Sequence, residues 1–147
     1  GTFNDPLKGK ELALAQYSQG ADIIMNVASN TGNGVLEAAK DSQKYAVGVD
    51  INQDDIYPGF ILTSMLKRVD VGTYEVIKSV AEDKFKGGEI LKMNVANGGI
   101  GLTDMSVMKQ ALGDKFPEDI LTTINELTEK IKSGEIKVES YPGFKFE

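Results

Sequence analysis

The chain has 147 residues, 41% of them hydrophobic, which is enough to bury the core of one compact domain. Its 22 acidic and 16 basic residues give a net charge of -6, and the repulsion between such a chain and a phosphate backbone argues against a nucleic-acid partner. Cysteine and histidine are both absent, which excludes thiolate and imidazole metal sites, cysteine nucleophiles and every histidine-based catalytic triad.

Apolar runs alternate with helix-forming segments along the first 96 residues. Asn4, Asp5 and Pro6 supply a cap and a first-turn proline for a helix, and Gly20 ends its pattern. The short apolar runs are typical of strands buried on both faces of a parallel sheet. In chain order we predict a strand end at 1–3, a helix at 5–19, a strand at 21–28, a helix at 35–41, strands at 45–49 and 60–66, a helix at 70–85 and a strand at 89–95. This alternation predicts an α/β fold with a doubly wound, mainly parallel sheet of about five strands and helices on both faces.

The last third of the chain does not continue this alternation. Residues 97–101 have the composition of a flexible crossing, and Pro117 begins an amphipathic helix that ends at Gly134. We then predict a strand at 136–138 and a tail at 141–144. The predicted divisions are a lobe at 1–96 and crossover and C-terminal segments at 97–147. Because the chain starts directly at a strand end, we expect it to be a piece of a longer protein.

Ligands of open parallel sheets bind at the carboxyl ends of the strands. Three loops leave such ends, at 3–5, 29–34 and 50–59, and the first two lead into helix N-termini, where free N–H groups hold oxygen-rich ligands. The carboxylate of Asp50 can accept two hydrogen bonds from a vicinal diol such as a ribose. The alternatives are structural, since small polar loop residues are ordinary turn formers and Lys67 is also typical of a surface salt bridge.

Five segments of the chain follow one another in a recognisable order and spacing. They are FNDPLKGKELALAQYSQGADII, NTGNGVLEAAK, KYAVGVDINQ, LTSMLKRVD and IKSGEIKV. Together they resemble the second half of the basic membrane protein family, the bacterial lipoproteins that include the purine nucleoside receptors. The resemblance implies one lobe of a type I periplasmic-binding-protein fold that binds a nucleoside and delivers it to an ABC transporter permease. It also implies a lipid-anchored, extracytoplasmic protein whose N-terminal lobe is missing from this sequence.

The resemblance also implies which residues bind the ligand. Asp50 and Lys67 match the acid and the lysine that hold the ribose in nucleoside-binding members. The predicted strand at 21–28 adds the candidate Asn26, and the loop after it adds Ser29, Asn30, Thr31 and Gly32. Met25 stands where the family often has an aromatic residue, and Ser29 and Asn30 replace two glycines, which indicates an altered specificity. No cofactor and no metal are expected.

Two other functional classes share parts of this pattern. Phospho-receiver domains carry an acid at the end of a central strand, but they need a pair of acids after the first strand, and this chain offers only Asn4 and Asp5 before Pro6. The effector-binding lobe of a sugar- or nucleoside-responsive regulator has the same two-lobed fold. An enzyme is disfavoured because no nucleophile lies at a strained elbow beside a base.

The expected absence of the first lobe has a consequence for assembly. The segments from about residue 97 onward would lack the lobe against which they pack, and exposed apolar surface of that size rarely stays uncovered. We therefore expect either the other lobe as a separate chain or a domain-swapped or fragment-paired oligomer.

Overall fold

The computed structural model describes residues 2–139, and in that range it contains five α-helices and four strands. The helices are α1 (Pro6–Ser18), α2 (Gly32–Asp41), α3 (Val69–Ala81), α4 (Ser106–Leu112) and α5 (Asp119–Ser133). The strands are β1 (Ile23–Met25), β2 (Tyr45–Asp50), β3 (Ile61–Lys67) and β4 (Ile100–Leu102). The chain forms two compact units, Gly1–Phe116 and Pro117–Glu147, and all four strands lie in the first. Of the helices in residues 2–139, none is both long and apolar enough to cross a lipid bilayer.

The sheet has the strand order β1-β2-β3-β4. The first three strands are parallel, whereas β4 pairs antiparallel with β3. Consecutive residues are buried in both central strands, Gly48 and Val49 in β2 and Thr63 and Ser64 in β3, so the middle of the sheet is covered on both faces. The predicted α/β class with a mainly parallel sheet is confirmed, with four strands in the described residues where about five were expected.

Helices α1 and α2 pack closely against each other, and α2 packs on β2. A Cβ atom on Gly34 would overlap the carbonyl oxygen of Pro6 and would lie 2.7 Å from the backbone nitrogen of Lys10. The ammonium of Lys10 forms ion pairs with Asp41 at 2.6 Å and Glu37 at 2.7 Å, and hydrogen bonds to these two carboxylates raise the pKa of Lys10. The two helices therefore fix the loop that leads into α2.

The predicted strand at 89–95 is wrong. Asparagine side chains take up the backbone groups that a strand would pair: the Asn97 side chain donates to the carbonyl of Lys92 and accepts from the N–H of Asn94, both at 2.8 Å. Such local hydrogen bonds compete with a strand ladder and favour turns. The strand β4 forms instead at Ile100–Leu102, so Ile100 and Gly101, which were predicted as part of a flexible crossing, lie in a strand.

The predicted strand at 136–138 is also wrong. Gly134 ends α5 in the left-handed conformation, with φ 78°. The N–H of Ile136 then donates to the carbonyl of Lys130 at 3.0 Å, so this segment finishes the helix and does not join a sheet. The predicted tail at 141–144 lies outside the described residues. The predicted division of the chain after residue 96 stays a prediction.

Residues 2 and 3 do not form the strand end that was predicted for the start of the chain. The carbonyls of Thr2 and Phe3 accept hydrogen bonds from the hydroxyl and the N–H of Thr31, at 2.9 and 3.2 Å. This segment therefore pairs with the loop before α2 and not with a strand.

Candidate functional site

Two charged side chains lie together at the carboxyl ends of β2 and β3. Asp50 ends β2 opposite Leu66, so Lys67, which ends β3, lies one position further along. The Lys67 ammonium is 2.6 Å from the Asp50 carboxylate, and the two side chains are 60% and 45% exposed. Arg68 pairs separately with Asp70 at 2.8 Å and lowers the pKa of that carboxyl. The sequence-predicted pair is thus in contact and open to a ligand.

The backbone of Asp50 is left-handed, with φ 69°. The N–H of Ile51 donates to the carbonyl of Val49 at 2.9 Å, which makes Asp50 the central residue of a classic γ-turn. This turn is rare and strained for a residue that carries a side chain, and strained residues are concentrated at functional sites. Asp50 therefore has both the location and the backbone geometry that are typical of a binding residue.

Ser29 and Asn30 are exposed at the start of the loop before α2. Ser29 is left-handed, with φ 51°. The Asn30 side chain donates to the Asn4 side chain at 2.6 Å and accepts from the Asn33 side chain at 2.8 Å. These three amides form a hydrogen-bonded row on the surface, and the sequence did not single out Asn4 or Asn33 for it.

The other three predicted binding residues, Asn26, Thr31 and Gly32, are buried, and their contacts help to fix the loop before α2. The Thr31 hydroxyl accepts from the N–H of Asp5 at 2.9 Å and donates to the Thr2 carbonyl. The Asn26 side chain fills the space where a Cβ atom on Gly32 would lie. Direct contact of Asn26, Thr31 and Gly32 with a ligand stays a prediction, and the contacts described here give them a role in shaping the loop.

Large apolar side chains are exposed near the same end of the sheet. Met25 ends β1, Val27 follows it, and Ile51 follows β2. Phe3 is held near the loop before α2 by its bond to Thr31. Apolar groups near a charged pair suit a ligand with one apolar part and one polar part.

Three residues that the sequence did not single out support the loop after β2. The buried Ser64 hydroxyl donates to the buried carboxylate of Asp54 at 2.6 Å and accepts from the N–H of Gln53 at 3.0 Å. Their local sequence pattern does not distinguish them from ordinary loop and strand residues. Within residues 2–139 no acidic cluster is arranged to hold a metal ion.

A separate cavity of about 520 Å³ lies between α3 and the segment before β4. Its walls are mainly apolar and include Val69, Val76, Ile77, Leu91 and Met93. Lys67 also borders it, so the cavity is adjacent to the charged pair. Its apolar lining differs from the polar edge formed by the loops, and none of the predicted loop residues takes part in it.

Comparison with known proteins gives consistent matches. A family model described as "ABC transporter substrate-binding protein PnrA-like" matches residues 1–141. An uncharacterized lipoprotein of Pyrococcus horikoshii is 32% identical over 92% of this chain and 41% of its own length. The ABC transporter nucleoside-binding protein BmpA of Lactococcus lactis is 34% identical over 69% of this chain and 34% of its own length.

A solved structure supports the same match at the level of the fold. The ABC transporter solute-binding protein from Aeropyrum pernix superposes with a TM-score of 0.81 and is 29% identical. The superposition covers 97% of this chain and 47% of that protein. This chain therefore spans less than half the length of each of these three proteins.

Proposed function

Because the chain belongs to the Bmp family of PnrA-like ABC-transporter substrate-binding proteins, we propose that it binds a nucleoside, purine in type, for uptake into the cell. The Asp50–Lys67 ion pair at the sheet edge is the observation that carries the proposal. A relative named as a nucleoside-binding protein supports the choice of ligand. The family is one of binding proteins, so we propose binding without turnover, and the phospho-receiver alternative loses its support.

The charged pair suits a ribose because its two members offer opposite hydrogen-bonding roles. The Asp50 carboxylate accepts from the hydroxyls of a vicinal diol, and the Lys67 ammonium donates to their oxygens. Both side chains are about half exposed, so a ligand can reach them at the carboxyl ends of β2 and β3 without any change in the sheet. Their mutual contact of 2.6 Å places both groups within reach of one sugar.

The apolar side chains at the same edge suit the base. A thioether packs favourably on an aromatic ring, and Met25 is half exposed at the end of β1. Phe3 adds an exposed ring on the side of the loop before α2. We propose that these two side chains contact the base while Ser29 and Asn30 contribute polar contacts that select among bases.

The greater length of the relatives and the transporter family support two further partners. We propose that a second lobe closes over this edge by a hinge motion and that the closed protein docks on an ABC permease. Relatives are named lipoproteins, which supports a lipid-anchored, extracytoplasmic protein. The exposed apolar side of α3 and the cavity beside it are the surfaces that such a lobe, or a swapped partner, would cover.

Calorimetry on the full-length protein tests the proposed ligand. Purine nucleosides, pyrimidine nucleosides, free sugars and amino acids form the panel, and we expect saturable binding of purine nucleosides only. Binding of an amino acid or peptide alone would refute the nucleoside proposal and leave the transport role in place. Tight nucleoside binding without any effect of gene deletion on nucleoside uptake would favour the regulatory alternative.

A further inference from the structure

The loop after β2 is held by a cluster of three residues, Gln53, Asp54 and Ser64, whose hydrogen bonds involve their side chains and the backbone N–H of Gln53. We propose that this cluster positions the Asp50 carboxylate and so sets the affinity for the ligand, an inference that rests on the proposed function of Asp50. None of the three side chains has to touch the ligand. Their effect passes through the backbone on either side of Asp50.

The contacts of the cluster form a continuous path to that backbone. The Ser64 hydroxyl donates to Asp54 at 2.6 Å and accepts from the N–H of Gln53 at 3.0 Å. The Gln53 side chain then accepts from the N–H of Val49 at 2.9 Å. Val49 is the residue directly before Asp50, so the path ends one residue from the carboxylate.

The bond to Val49 replaces a strand partner that is missing at this position. Strand β1 ends at Met25 opposite Val47, and Asn26 makes the last backbone bond to Val47 at 3.3 Å. Backbone groups two residues apart on a strand point to the same side, so the N–H of Val49 faces the space beyond the end of β1. The side-chain amide oxygen of Gln53 fills that space and satisfies a donor that would otherwise lack a partner in the sheet.

Gly48 makes this folding-back of the loop possible. A Cβ atom at Gly48 would overlap the Ser64 hydroxyl and would lie 3.1 Å from the Cβ of Gln53. The loop therefore lies directly on the backbone of β2, where only glycine leaves room for it. A chain with any side chain at this position would have to lift the loop away from Ser64.

The geometry of Asp50 explains why it needs such support. At φ 69° in a classic γ-turn, the backbone of Asp50 has a higher free energy than extended backbone. Contacts with the surrounding residues must offset this difference. The turn bond from Ile51 to Val49 and the bond from Val49 to Gln53 involve the two backbone groups of the same residue. Loss of the Gln53 acceptor frees Val49 and lets Asp50 return to extended backbone, away from its position beside Lys67.

Substitution of Gln53 tests the inference through the binding of inosine. Gln53→Met keeps the size of the side chain but removes the acceptor, and we expect the Kd for inosine to rise about tenfold, the effect of losing one ordinary hydrogen bond. Gln53→Glu retains an oxygen acceptor and should stay within about twofold of the parent. Gln16→Met makes the same change on the exposed side of α1 and should leave the Kd unchanged.

A double substitution separates positioning from a general loss of stability. If Gln53 acts through Asp50, Gln53→Met should not weaken inosine binding further once Asp50 has been replaced by alanine. Additive losses in the double variant, or no change in Kd for Gln53→Met, would overturn the inference.

Amide hydrogen exchange of the ligand-free protein is a second test. The backbone amides of Val49 and Ile51 should exchange at least about tenfold faster in Gln53→Met than in the parent. Unchanged exchange would reject the cluster, whereas faster exchange in a protein that binds no nucleoside would reject only the proposed function.

Discussion

Asp50 is the residue on which the proposed ligand binding depends most. Each hydrogen bond from a ribose hydroxyl to its charged carboxylate contributes roughly 1.5–3 kcal/mol. Asp50→Ala should therefore weaken nucleoside binding on the order of a hundredfold or more, and Lys67→Ala should weaken it less because an ammonium is less directional. Titration calorimetry on the full-length protein measures both.

Because the backbone of Asp50 is left-handed, Asp50→Ala changes both the charge and the backbone preference at this position. Alanine is disfavoured at φ 69°, whereas asparagine tolerates this conformation, so Asp50→Asn isolates the loss of charge from the loss of backbone geometry. Asp50→Asn should bind with an affinity between those of the parent and Asp50→Ala. Asp22 precedes β1 at the opposite end of the sheet, and Asp22→Ala should bind like the parent. Parental affinity in Asp50→Ala would contradict the assignment of this site.

The stability of the fold should depend on pH in the alkaline range because of Tyr17. Its hydroxyl donates to the Tyr45 carbonyl at 2.7 Å, and burial raises the pKa of Tyr17 to about 12. The ordinary pKa of tyrosine is about 10, so the neutral hydroxyl is favoured in the folded state. The stabilisation is complete below pH about 10 and is lost as the pH rises toward about 12.

Tyr17→Phe tests this dependence because it removes the group that titrates. At pH about 7 the variant should be less stable by about 0.5–1.5 kcal/mol, the contribution of one hydrogen bond. The difference in free energy of unfolding between parent and variant should shrink as the pH rises above about 10. Urea unfolding at several pH values measures it, and a constant difference would contradict the assigned cause.

The residues of the site show what a sequence pattern can and cannot reveal. Asp50 and Lys67 were predictable because each follows an apolar strand, and the carboxyl ends of neighbouring parallel strands meet at one edge. Gln53 and Ser64 were not, because their contact depends on a loop that folds back over Gly48. Neither residue differs in its local pattern from an ordinary loop or strand residue.

The close approach of α1 and α2 at Gly34 allows a test of how these two helices pack. Gly34→Ala places a methyl group on the carbonyl of Pro6, and backbone cannot move aside as a flexible side chain would. We expect a loss of about 1–3 kcal/mol in the free energy of unfolding, as for other overpacked cores. Gly101→Ala is the matched control, since a Cβ atom there has no neighbour within 4 Å. Equal stability of the two variants would show that the helices do not approach this closely.

The elements predicted correctly are those with a strong periodic pattern and clear ends. Helix α1 was predicted to within one residue because its capping residues lie on both sides of it. Helix α4 was missed because it has only seven residues, and its one signal is the Asp104 side chain, which accepts from the N–H of Ser106 at 2.9 Å. Helix α3 ends at Ala81, before the predicted end at 85, because Asp83 adopts a left-handed φ of 53°. Short elements and helix ends depend on such single contacts more than on periodicity.

The apolar side of α3 is not what a self-contained protein would leave uncovered. None of its 13 residues is buried, although the helix carries a stripe of large apolar side chains. These are Val69, Tyr74, Val76, Ile77 and Val80. Surfaces of this kind usually bind another protein surface. We therefore expect the 147-residue chain on its own to self-associate.

Sedimentation velocity of single variants tests this expectation. Ile77→Lys places a charge in the middle of the stripe and should shift the chain toward the monomer. Glu75→Lys introduces the same side chain at an exposed polar position of α3 and should have little effect. A parent chain that remains monomeric at the concentrations used for calorimetry would show that the exposed apolar side of α3 does not cause self-association.

The mutual neutralisation of Asp50 and Lys67 has a consequence for selectivity between nucleosides and nucleotides. A nucleoside brings no net charge to a pair that is already balanced, whereas a 5′-monophosphate brings a dianion to a chain whose own net charge is -6. The site offers that dianion no unpaired cation from its charged pair, and the surrounding field repels it. Inosine should therefore bind more tightly than inosine 5′-monophosphate, and the difference should narrow as added salt screens the repulsion. Under the proposed function, a cell that relies on such a protein would have to remove the phosphate from external nucleotides before this protein could bind their nucleosides.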